Sequence, residues 1–166
     1  MHRNPEKVSD VLAEIQKLFD TGRSKDAAEL IRRFGTRSPA VGNAYGVALM
    51  RSGAADKAVE VYRNLVLSES GVCLRSDVPT LFKTNFATAL LLATNVSGCL
   101  SVLREINDVQ NPEVIRLREA IAQWKRTLSW WQRLWLKIAG EAPGKTVHLG
   151  FSPGRLDDPR QLRPAA

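Results

Sequence analysis

The stretch Gly42–Arg63, GNAYGVALMRSGAADKAVEVYR, decides how the chain is read. It has helical character on both sides of Ser52-Gly53, yet it places small residues at Gly46, Gly53 and Ala58 and an aromatic at Tyr62. A small residue inside a helix lets a second backbone come close, and glycine closes a helix in the left-handed conformation at little steric cost. The pattern describes two helices folded on each other, with Gly46 and Ala58 at the crossing and Tyr62 filling the groove beside it.

The same ruler recurs on three anchors, Ile15, Gly46 and Ala87. Twelve residues beyond each stands a small residue, Ala27, Ala58 and Cys99, and four further on a bulky one, Ile31, Tyr62 and Leu103. Seven residues past each anchor comes a turn position, Gly22, Gly53 and Thr94. Val11, Ile15, Leu18 and Phe19 mark the buried face of the first helix at three- and four-residue spacing, and Leu30, Ile31 and Phe34 that of its partner.

These residues resemble the tetratricopeptide repeat family, over about residues 6–111. Tyr45-Gly46 with Ala58-x-x-x-Tyr62 carries the likeness in the second hairpin. Ala27-x-x-x-Ile31 with Pro39 carries it in the first, and Phe86-Ala87 with Cys99-x-x-x-Leu103 and Pro112 in the third. The anchors are 31 and then 41 residues apart, against a family period of about 34. The first interval needs a clipped connection at Thr36–Pro39 and the second an excursion over Ser68–Thr80. Val11, Gly42 and Lys83 stand where the family has an early tryptophan.

The resemblance implies an all-α helical-hairpin solenoid whose first helices line a concave groove that takes an extended peptide or another helix. The groove set would be Leu12, Gln16 and Phe19, then Asn43, Val47, Met50 and Arg51, then Leu81, Thr84, Thr88 and Leu91. Leu81 and Leu91 are equally readable as core. Some family members clamp a terminal carboxylate with Lys, Asn and Arg; the matching positions here are Leu12, Gln16, Ala44, Leu81 and Asn85, which lack that charge set. The groove reads as apolar and neutral with one cation, Arg51.

From Pro112 the pattern becomes a single stripe, Val114, Leu117, Ile121, Trp124, Leu128, Trp131, Trp135 and Ile138. Asn111 caps it and Pro112 suits its first turn, which predicts one long capping helix over 112–139, closing a repeat domain at 1–139. Leu128–Gly140, LSWWQRLWLKIAG, is more apolar than a cap requires. Trp130, Arg133, Leu134 and Lys137 form a patch that the tail could cover, that could pair with a partner or a second copy, or that could lie in an anionic membrane interface. The remainder, 140–166, is a Gly- and Pro-rich extended tail. In it Val147, Leu149 and Phe151 alternate as a strip suited to dock in or beside the groove.

The net charge of +7 is spread along the chain without a run of five or six basic residues, which disfavours a nucleic-acid partner. The start reads as charged and amphipathic, no 18-residue apolar run exists, and two cysteines suit a reducing compartment, so a cytoplasmic chain without a transmembrane segment is expected. GEAPGKT at Gly140–Thr146 has three residues between its glycines where a phosphate loop needs four. His2 and His148 lie at no metal-ligand spacing with Cys73 or Cys99. No nucleophile–base set is visible, and no cofactor, metal or catalysis is expected. The reading is a non-catalytic interaction module, a scaffold or adaptor, with a peripheral membrane-surface protein as the alternative.

Overall fold

The computed structural model describes residues 5–71, 73–139 and 147–156. Among these, eight α-helices follow in order: α1 Pro5–Asp20, α2 Ser24–Phe34, α3 Pro39–Arg51, α4 Ala55–Val66, α5 Thr80–Leu92, α6 Val96–Glu105, α7 Pro112–Arg126 and α8 Trp130–Ala139. Each helix from α1 to α5 packs on the next, and the odd-numbered helices also pack in series, α1 on α3, α3 on α5 and α5 on α7.

All nine ruler positions are buried. At the crossing of α3 and α4, a Cβ added to Gly46 would lie 2.5 Å from Cζ of the fully buried Tyr62. Glycine is required there by contact, since the backbone conformation is ordinary helix. The three turns share one geometry. Gly22, Gly53 and Thr94 have φ of 72°, 84° and 63°. The next residue's amide reaches back to the same helical register each time, Arg23 to the Leu18 carbonyl (2.8 Å), Ala54 to Leu49 (2.8 Å) and Asn95 to Leu90 (2.9 Å). This is the double-bonded left-handed closure that satisfies a helix's last carbonyls. Thr94 achieves it without being glycine, against the strain a β-branched residue meets at positive φ.

The connection over Ser68–Pro79 is the longer excursion expected before α5, pinned by an antiparallel bridge between Leu67 and Leu74. Leu74 also donates its amide to Glu105 at 3.0 Å.

The long helix expected over 112–139 is instead two helices. α7 ends at Arg126, and α8 starts at Trp130. The cause is a reciprocal cap within Ser129-Trp130-Trp131-Gln132: the Gln132 amide donates to Ser129 Oγ (3.3 Å), and the Ser129 amide donates to Gln132 Oε1 (3.0 Å). Arg133 then closes α7 from outside, donating to the carbonyls of Leu128 (3.1 Å) and Arg126 (3.3 Å). Leu128 remains buried at the corner. No helix of the described residues is long and apolar enough to cross a membrane.

Candidate functional site: a groove holding the chain's own tail

The odd-numbered helices present one continuous face, and residues 153–156 of the tail lie across it. α3 supplies most of the contacts because four of its residues at three- and four-residue spacing, Asn43, Val47, Met50 and Arg51, project to that side. α5 adds Asn85 and α7 adds Glu113.

Arg51 holds the tail's entry. Its Nε donates to the Pro153 carbonyl at 3.1 Å and its Nη2 to the Gly154 carbonyl at 2.9 Å. The guanidinium sits 4.5 Å above the centre of the Phe19 ring, which steers it from α1. Burial lowers its pKa, while Asp20 and Tyr62 act in the opposite sense; from so high a starting value it stays cationic.

Two buried asparagines then grip Arg155 by its main chain. Asn85 accepts the Arg155 amide at Oδ1 (3.0 Å) and donates Nδ2 to the Arg155 carbonyl (2.8 Å). This reciprocal pair is the hydrogen bonding a neighbouring β-strand would offer, supplied by one side chain. The same Nδ2 donates to Asn43 Oδ1 at 2.7 Å, and Asn43 Nδ2 donates to the Arg155 carbonyl at 3.3 Å. Tyr62 Oη lies 3.0 Å from the Asn43 carbonyl and 3.1 Å from its Oδ1. The aromatic that packs against Gly46 therefore also fixes the amide orientation used by the groove. An asparagine with no exposed surface is costly unless its polar atoms are satisfied, and this network satisfies them.

Beyond the main chain, Gly154 is buried against Val47 and Met50. Arg155 pairs with Glu113 at 3.0 Å, and Leu156, like Leu149, packs against the core. Val147 is buried and Phe151 is half-buried, its ring 5.8 Å from the Arg116 guanidinium.

The expected groove residues divide accordingly. Asn43, Val47, Met50 and Arg51 meet the tail, and Phe19 supports Arg51. Leu12 and Leu91 are core. Gln16 is exposed and donates to Asp20 at 2.7 Å. Thr84 and Thr88 are buried with their hydroxyls donated back into α5, Thr84 to Thr80 and Leu81 and Thr88 to Thr84. Asn85 and Glu113 were absent from that set. Asn85 carries a visible signal, a polar residue at a clamp position; Glu113 stands outside every sequence pattern described above. Val147 and Leu149 of the strip pack on the core and Phe151 lies beside Arg116 of α7, while the hydrogen-bonded register is at Pro153–Arg155. Asp157-Asp158 and the rest of 157–166, like Gly140–Thr146 and His2, lie outside the described residues.

The patch on α8 is exposed throughout. Trp130 (65%), Trp131 (62%), Trp135 (52%) and Ile138 (72%) are its most accessible apolar residues, and Leu134 lies between them. At about 100° per residue these five share one face, while half-buried Gln132 and Leu136 point the other way. Trp130 and Trp131 stack with centroids 4.1 Å apart. Lys137 is exposed at the margin, and Arg133 is engaged in closing α7.

A cavity of about 930 Å³ opens elsewhere, between α4, α6 and the Ser68–Pro79 loop, lined by Arg63, Leu67, Arg75, Phe86 and Glu105 among others. Among the described residues, its lining includes none of the tail and none of α8. Among the described residues no group of three His, Cys, Asp or Glu could hold a metal ion. Cys73 is exposed and Cys99 buried, where desolvation pushes its thiol up to about 12. In comparisons with known proteins, the chain matches no family model, no curated protein and no solved structure.

Proposed function

We propose that the chain is a non-catalytic protein–protein interaction module, built of tetratricopeptide-like hairpins, that binds an extended segment across α3, α5 and α7. One observation carries this reading. Asn85 pairs with both the amide and the carbonyl of Arg155, so the groove is equipped to hold extended backbone. The groove's donors are spent on carbonyls of three successive residues, which is the chemistry of peptide capture. In the described state the captured peptide is the chain's own tail.

A direct test adds excess synthetic peptide spanning 147–156 to the full chain. Displacement frees the tail, moves the chain's own Arg155 backbone amide resonance to its unbound position and exposes the Arg155–Leu156 bond to trypsin. If that resonance stays put and cleavage is not accelerated, the groove does not take peptides in trans and the reading fails.

A second reading is favoured by a separate observation, the outward apolar face of α8. Three exposed tryptophans on a helix with two cations and no acid suit the interfacial zone of an anionic bilayer. A second copy meeting the same face is the competing occupant. Salt-sensitive binding to phosphatidylserine vesicles that is lost on Trp130→Ala supports the membrane reading; dimerisation lost on the same change supports the second copy.

A further inference from the structure

We propose that the groove selects its ligand by a three-residue core, glycine followed by a basic residue followed by an aliphatic one. Its natural occupant in trans is then a segment of another protein with that core, and the chain's tail is the competitor holding the site in its absence. The inference rests on the peptide-groove reading above and adds the ligand's chemistry to it.

The main-chain bonds fix the register without reading sequence, so selectivity falls to what surrounds each side-chain position. At 154 there is no room. Gly154 is buried with φ of 74°, and a Cβ there would lie 2.9 Å from Val47 Cγ2 and 2.7 Å from Met50 Cε. The methionine methyl can swing aside, but Val47 is fully buried and stiff at its branch, and the left-handed backbone disfavours any β-branched residue. At 155 the side chain is largely in solvent and reaches Glu113, whose own side chain is only 16% exposed. Glu113 lies 3.6 Å from Arg116 as well, so an acid at 155 would lose an attraction and leave Glu113 facing like charge. At 156 the leucine contacts apolar core. Glycine is thus the strictest requirement, the aliphatic residue next, and the base a bias.

The tail is covalently attached and therefore competes as an intramolecular ligand. A partner must therefore bind more tightly or meet a chain whose tail is occupied elsewhere.

The test uses the full chain carrying Gly154→Val, whose own tail cannot seat, and a fluorescent peptide of the native 147–156 sequence read by anisotropy. The peptide should bind this variant at least tenfold more tightly than the native chain, where the tail competes. A peptide carrying Gly154→Val should bind at least tenfold more weakly. One carrying Arg155→Glu should lose about two- to fivefold, the range for a solvent-accessible pair, and regain it on a chain that also carries Glu113→Lys. The ranking of the three peptides is read on one and the same protein, so it does not depend on how different protein variants fold. Equal binding by all three peptides overturns the selectivity and leaves the groove reading standing. No binding by any peptide, with Arg155–Leu156 as resistant to trypsin in the Gly154→Val chain as in the native one, overturns both. A native chain that is dimeric and becomes monomeric on Gly154→Val would assign the site to a second copy's tail and overturn the foreign partner.

Discussion

Replacing Asn85 with alanine separates the groove's hold on the tail from the stability of the helices. Three hydrogen bonds are lost: two to the Arg155 main chain, at 2.8 and 3.0 Å, and one to Asn43 Oδ1, at 2.7 Å. A net value of about 0.5–1.5 kcal/mol per bond puts the tail's local loss at about 1–3 kcal/mol. At tenfold per 1.4 kcal/mol, the Arg155 amide should exchange with solvent deuterium roughly 5- to 150-fold faster. The helical core should lose far less, because Asn43 Oδ1 keeps Tyr62 Oη within 3.1 Å. The Val47 amide, inside α3, should speed up only as far as the global stability falls. Native-state hydrogen exchange followed by NMR reads both amides in one sample. Arg155 protection that is unchanged by Asn85→Ala, or already absent in the native chain, would refute the account of how the tail is held.

Four further predictions address the fold. Gly46→Ala drives a methyl against the buried Tyr62 ring and should cost about 3 kcal/mol, lowering Tm by roughly 6–12 °C for a chain of this size; adding Tyr62→Leu should return part of it, and a Tm unchanged by Gly46→Ala would refute the close crossing. Thr94→Gly removes positive-φ strain at an exposed turn and should raise Tm by a few degrees, about 0.5–1 kcal/mol after the unfolded-state entropy of glycine is counted. A thiol reagent should modify Cys73 alone in the folded chain and both thiols on unfolding. Cys99 is raised from 9.0 to about 12 when folded, so its contribution is complete below pH 9 and is lost as pH rises from 9 towards 12. Cys99→Ala should flatten that alkaline decline, and an unchanged decline would remove Cys99 as its source.

The rhythm of the helices is written in the order of residues along the chain. The small and bulky ruler positions are buried wherever the spacing placed them, and the three turn positions adopt the left-handed conformation, including Thr94, where side-chain chemistry argues against it. These outcomes follow from local sterics and from one apolar face per helix, both written in residues three or four apart. The break before Trp130 was equally legible in Ser129-x-x-Gln132, but the apolar stripe runs through it without losing phase. A buried-face pattern alone cannot distinguish one helix from two that continue in register.

What the groove holds follows instead from how the helices are placed in space. Asn85 and Arg155 are 70 residues apart, and nothing near either announces the other. Their pairing depends on how far α3, α5 and α7 are displaced as they stack, which fixes where a glycine can pass Val47 and where the next amide must fall. The same packing buried Leu12, turned Thr84 and Thr88 into α5, and left the tryptophans of α8 facing outward. Periodicity specifies which side of a helix is apolar; the relative placement of several helices specifies which polar atoms on that side meet another part of the chain.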